Sequence, residues 1–153
     1  MIHKTVMIFL LGASLLWSAS SRDLLGEWQT QREFAGNGER HLELENLKFM
    51  PDTFRLILTV TIQKGDLLVD RLRIQANGLW KLKDDTLVLV MQEIRFLDVA
   101  QTKGIDKSSF EKLIRDLRSR YLSDPIKIIR LDTLNGKTLT IGQGEESKTY
   151  RRP

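Results

Sequence analysis

From residue 26 onward, apolar and polar residues alternate over short runs separated by turn-forming residues. A period of two is the mark of a strand with one face turned to a core. The spacing predicts a first strand over residues 28–34, with Gly36-Asn37-Gly38 turning the chain into a second over residues 40–50. In the second strand Leu42 and Leu44 lead and Leu47 and Phe49 follow out of phase, so a bulge is expected at Glu45-Asn46. After Pro51-Asp52, the residues Phe54, Leu56, Leu58, Val60 and Ile62 share one face of a third strand. Beyond Lys64-Gly65-Asp66, a long fourth strand places Leu68, Leu72, Ile74, Ala76, Gly78, Trp80 and Leu82 on one side, with a bend or bulge at Asn77-Gly78. The fifth strand, residues 87–96, starts apolar on both faces, which predicts cover on both sides at its start.

The period then lengthens. Phe110, Leu113, Ile114, Leu117 and Tyr121 recur at helical spacing. Ser108 and Glu111 form a capping box, and Asp124-Pro125 stops the helix, giving a segment from Ser108 to Leu122. Three further strands are expected over residues 126–133, 137–141 and 148–152, joined at Asn135-Gly136 and at Gly142-Gln143-Gly144. About eight consecutive antiparallel strands with short turns describe an up-and-down β-barrel, with one amphipathic helix inserted before the last three strands. Closure removes the edges an open sheet would expose.

The first twenty residues have a different character. A short polar start, an apolar run from Val6 to Trp17 and the small residues Ser18, Ala19, Ser20 and Ser21 describe a secretory signal peptide, cleaved after Ser20 or Ser21. The expected organisation is therefore residues 1–20 as leader and 21–153 as one barrel domain, exported to the periplasm or the extracellular space. After cleavage no transmembrane span is expected, since the apolar run is shorter than a bilayer requires and belongs to the leader.

Composition narrows the chemistry. There is no cysteine, so disulfides, thiol nucleophiles and Cys-ligated zinc are excluded. The 24 basic and 20 acidic residues leave a formal charge of +4, too small and too dispersed to point to nucleic acid. Aromatic residues are 7% of the chain and scattered, against the aromatic girdles of an outer-membrane barrel. Past the leader, His41 stands alone, so neither a metal site nor a cofactor is expected. There is no Gly-x-Ser-x-Gly elbow and no Walker loop. Glu43 and Glu45 sit at the spacing of a solvated strand face. Asp70, in phase with Leu68 and Leu72, is the one carboxylate placed to face inward, as a polar anchor in a cavity or a wet group at the barrel mouth.

Gly26-x-Trp28, opening the first strand, resembles the Gly-x-Trp signature of lipocalins and the wider calycin group. The repeated strand-and-turn pattern over residues 22–152 is similar as well. The resemblance implies that Trp28 closes one end of the barrel against a basic residue of the last strand, Arg151 or Arg152. It departs from the family in the helix, which precedes the last three strands, and in lacking a Thr-Asp-Tyr motif. The expected function is a non-catalytic binding protein, bacterial in type, holding a small apolar or amphipathic ligand. Phe54, Leu56, Leu58, Val60 and Asp70 would line the cavity from one side. Leu72, Ile74, Trp80, Leu89 and Met91 would line it from the other. The alternative is a filled barrel acting as a protein–protein interaction module of the cell envelope. Its surface would be the basic helix face of Lys112, Arg115 and Arg118, with Lys107 and Arg120 beside it. The polar segment 98–107 before the helix is expected to serve as a flap. An enzyme acting through Asp70 is the remaining reading, expected only if Asp70→Asn abolished a turnover.

Overall fold

A computed structural model describes residues 20–153. The leader expected over residues 1–20 therefore lies outside the described residues, except for Ser20. The chain runs through a short helix α1 (Ser21–Leu24), then β1 (Gly26–Gly36), β2 (Glu39–Phe49), β3 (Thr53–Lys64), β4 (Leu67–Lys83), β5 (Thr86–Asp98) and β6 (Gln101–Lys103). Helix α2 (Lys107–Leu122) follows, then β7 (Ile126–Leu134), β8 (Thr138–Gln143) and β9 (Glu146–Arg151). The sheet order β3-β2-β1-β9-β8-β7-β5-β4, closed by the pairing of β3 with β4, makes an eight-stranded antiparallel barrel. The short β6 adds to β4 outside that ring.

The Glu45-Asn46 bulge is absent. β2 pairs with β1 and with β3 in unbroken register from Glu39 to Phe49. Its inward face is therefore His41, Glu43, Glu45, Leu47 and Phe49, while Leu42 and Leu44 stand half-buried on the outside. The chain keeps this phase because Glu45 finds partners inside the barrel, described below.

The break occurs in β4 instead. Val60 pairs with Leu72 but Ile62 pairs with Val69, so one extra residue of β4 is looped out. Arg71 takes φ +50° there and donates its amide N–H to Thr61 Oγ1 at 3.1 Å. Val69 takes the inward place, fully buried, and Asp70 and Leu68 lose it. At the far end of β4 the expected irregularity at Asn77-Gly78 is present, as a register shift against β5.

Gly78 meets a tight approach. A Cβ there would lie 1.8 Å from the Val90 carbonyl oxygen and 2.8 Å from Phe54 Cε1. Gly78→Ala must push β5 away from β4 or displace Phe54. Overpacking of a close-packed interior costs about 1–3 kcal/mol, and contact with backbone places this site at the upper end. Urea denaturation should show the midpoint falling at constant slope.

Other expectations shift in detail. The cap of α2 is Asp106, whose carboxylate accepts from the Ser109 amide at 2.7 Å and the Ser109 hydroxyl at 3.1 Å. These bonds hold its pKa below the usual carboxylate range. The Ser108–Glu111 box is not used, because Lys107 and Ser108 are already inside the first turn. The turn between β8 and β9 sits at Gly144-Glu145, and Gly142 remains in the strand against the Arg130 side chain. The segment expected to be a flap is pinned: Gln101, Thr102 and Lys103 pair with Asp70, Val69 and Leu68, and the Ala100 amide bonds to the Asp70 carbonyl at 3.0 Å.

The core is a contiguous set of inward side chains from every barrel strand, completed by Leu24 of α1 and Leu117 of α2. Among the described residues no element packs over the second face of β5, where Val88 and Val90 are half-buried. Val88 and Val90 there join Leu79, Ile126 and Ile128 in an exposed apolar strip across β4, β5 and β7.

Candidate functional site

The two ends of the barrel differ. One end is shut by aromatics. Trp28 is fully buried and donates its indole N–H to the Leu24 carbonyl at 2.8 Å. Phe49 packs edge-to-face on Trp80 at 5.2 Å, and Trp80 donates to the Met50 carbonyl at 2.6 Å.

Arg152 lies across Trp28, its guanidinium carbon 3.8 Å from the ring centroid. It donates to the carbonyls of Leu25 at 2.8 Å and Asp23 at 2.9 Å. Gly26, at φ +105°, is where this clasp passes: a Cβ would stand 2.6 Å from Arg152 Nη1. Arg151 takes no part. It points outward, exposed, in register with Gln29 and Thr138. The clasp stands in for a ladder, because β1 and β9 share a single register pair, Gln29 with Arg151.

The other end is covered by α2. Phe110, Leu113, Ile114 and Tyr121 rest half-buried on the core, and Leu117 alone of the helix is buried. Phe110 meets Phe96 of β5 edge-to-face at 6.1 Å. Beneath the helix the barrel wall turns polar. Glu45, 6% exposed, accepts from Lys148 Nζ at 2.7 Å and from the Tyr150 hydroxyl. These two bonds reach from β2 past β1 to β9. They hold the upper part of the seam that the ladder leaves open.

Glu43, one step further up β2, has His41 Nε2 3.1 Å away. That approach lacks hydrogen-bond geometry, and the buried Nε2 atom has no hydrogen-bond partner. Among the described residues no group of three or more His, Cys, Asp or Glu could hold a metal ion.

Two tyrosines respond to this setting. Burial, then the Glu45 and Glu43 carboxylates, push Tyr121 up to about 12. Burial and Glu45 push Tyr150 well above its ordinary value. A raised folded-state pKa means the fold favours the neutral phenol. The associated stability is whole below the unfolded value near pH 10 and is lost as pH rises through that value to about 12. Denaturant titrations across that range should show a loss of about 2 kcal/mol from Tyr121, and Tyr121→Phe should flatten the fall.

The residues expected to line a cavity divide into two groups. Phe54, Leu56, Leu72, Ile74, Trp80, Leu89 and Met91 belong to the contiguous core. Leu58 and Val60 are buried core residues too, at 4% and 1% exposure, paired in register with Ile74 and Leu72. They lie opposite Glu45 and Glu43 in the register, beneath α2. Asp70 does not line the interior. The bulge places it outside, where it pairs with Arg71 at 3.2 Å. The helix residues Lys112, Arg115 and Arg118 are exposed.

Sequence reasoning missed the polar group inside. The alternation of Glu43 and Glu45 was visible, but Leu42 and Leu44 claimed the inward face. Only the pairing with Lys148 and Tyr150, more than a hundred residues on, reverses that choice.

No family model matches the chain, and no curated protein matches it. Among solved structures, the fold is similar to that of a lipocalin-like protein from Bacteroides uniformis, at a TM-score of 0.50 and 12% identity. The alignment covers 85% of this chain and 98% of that one. The closed eight-stranded antiparallel barrel agrees with that likeness, and Arg152 lies on Trp28 as the Gly-x-Trp resemblance implies: the chain has a lipocalin-like fold.

Proposed function

We propose that this protein is an exported, non-catalytic carrier of one small apolar or amphipathic molecule, held in the α2 end of the barrel. The observation that carries the reading is the position of Leu58 and Val60. They are buried beside Glu45 and Glu43 of the adjoining strand, whose carboxylates act on Tyr121 of α2, a helix with one buried residue, Leu117. An apolar wall with a few convergent polar groups is the usual make-up of a small-molecule site. The ligand's apolar part would lie along Leu58 and Val60. Its polar end would meet the Tyr121 hydroxyl and the Glu45–Lys148–Tyr150 group. α2 is the cover that moves, since it is attached by a shallow apolar face. Glu45 is held by Lys148 and Tyr150 and Asp70 lies outside, which supports a site that holds and orients rather than reacts.

Filling the space tests this. A dansyl-labelled fatty acid should bind wild type at one per chain, and Leu58→Phe should abolish that binding with little change in melting temperature. In a solid interior the same substitution would overpack the core and destabilise by about 1–3 kcal/mol, with no ligand binding to lose. That outcome would overturn the carrier reading.

A further inference from the structure

The outer face of α2 is a second surface with its own chemistry. Lys112, Arg115 and Arg118 follow one another on successive turns, with Ser119 and Leu122 completing the stripe. The stripe from Lys112 to Leu122 is about 15 Å long at 1.5 Å per residue. Arg115, Arg118, Ser119, Leu122 and Ser123 line a shallow open hollow of about 440 Å³.

Every one of these helix residues is exposed. Glu111 and Asp116 share the exposed side. Even so, neither arginine is in an ion pair among the described residues, where seven other pairs form. Two guanidinium groups within one turn, left without carboxylates and beside two hydroxyls, complement anionic oxygens.

We propose that this face rests on an anionic lipid bilayer. The choice over an acidic protein follows from what the face lacks. Protein interfaces have a charge-depleted core of aromatic and aliphatic side chains. This stripe is charged along its length, with Leu122, 39% exposed, as its apolar member. A planar array of headgroups meets the whole stripe at once. Leu122 reaches only as far as the headgroup boundary, so the attachment is peripheral and salt-sensitive. The surface covers the same helix that lids the proposed ligand site, but it stands independently of that reading.

Sedimentation with vesicles decides it. The probes are phosphatidylcholine vesicles and the same vesicles with about one-third phosphatidylglycerol. The full chain and Arg115→Glu/Arg118→Glu are compared, their folding checked by circular dichroism. Wild type should bind the anionic vesicles, and the double variant should bind them about tenfold or more weakly. Salt at about 0.5 M should release wild type. Equal binding to both vesicle types would overturn the proposal, as would variant binding equal to wild type. Retention on a polyglutamate resin without vesicle binding would overturn it in favour of an acidic protein partner.

Discussion

Arg152→Ala destabilises the barrel by about 3 kcal/mol, read as a lower denaturant midpoint and a lower Tm. The figure follows from what the guanidinium holds. Two carbonyls, of Leu25 and Asp23, lose charge-assisted donors, each worth about 1.5–3 kcal/mol before discount for partial exposure. Trp28 loses a stacked cation, worth about 0.5–2 kcal/mol. The seam between β1 and β9 has one ladder pair to fall back on, so little compensates. Arg152→Lys should recover well under half of the loss, because an ammonium has neither the planar face nor the fork that reaches both carbonyls. Arg151→Ala, at the outward neighbour, should change stability by less than about 0.5 kcal/mol.

Glu45→Leu is the second large effect, expected at about 3–5 kcal/mol. It takes from the buried Tyr150 hydroxyl and the part-buried Lys148 ammonium the one carboxylate to which both donate. The cost arises from the groups left behind. Glu45→Leu/Lys148→Met/Tyr150→Phe should therefore regain most of the stability, since apolar replacement of a whole buried polar group is often close to neutral. A triple variant no better than the single one would show that the polar group closes the seam in a way apolar packing cannot. Equilibrium denaturation of the three proteins separates these cases. Under the carrier reading, the rescued triple variant should still lose its discrimination among ligand head groups.

Much of the architecture was legible because local pattern and global fold agree. In β3 the five alternating apolar residues Phe54, Leu56, Leu58, Val60 and Ile62 lie inward, and Ile57 alone of its apolar residues faces out. The helix is marked at its end by Asp124-Pro125, and Trp28 by its glycine. Failures cluster where a distant partner decides. In β2, two leucines outweigh two glutamates locally, yet the register with β1 and β3 and the pairing to β9 turn the glutamates inward. In β4, the even-numbered apolar residues suggested one phase, but the bulge at Arg71 shifts the first part of the strand and turns Asp70 out. The apolar start of β5 implied a second cover, and its outer residues instead form part of an exposed strip. Nor could residues 101–103 be seen as a strand, because their pairing to β4 depends on the edge that β5 leaves free past Arg73.

The most direct test of the carrier reading is native mass spectrometry of the protein purified from its own export route. An exported carrier should give a mass beginning at Ser21 or Arg22, with one small-molecule adduct per chain that is lost on denaturation. A mature chain free of adduct, and still free after incubation with fatty acids, alkylamines and long-chain alcohols, would contradict it and leave a filled barrel that acts through its surface.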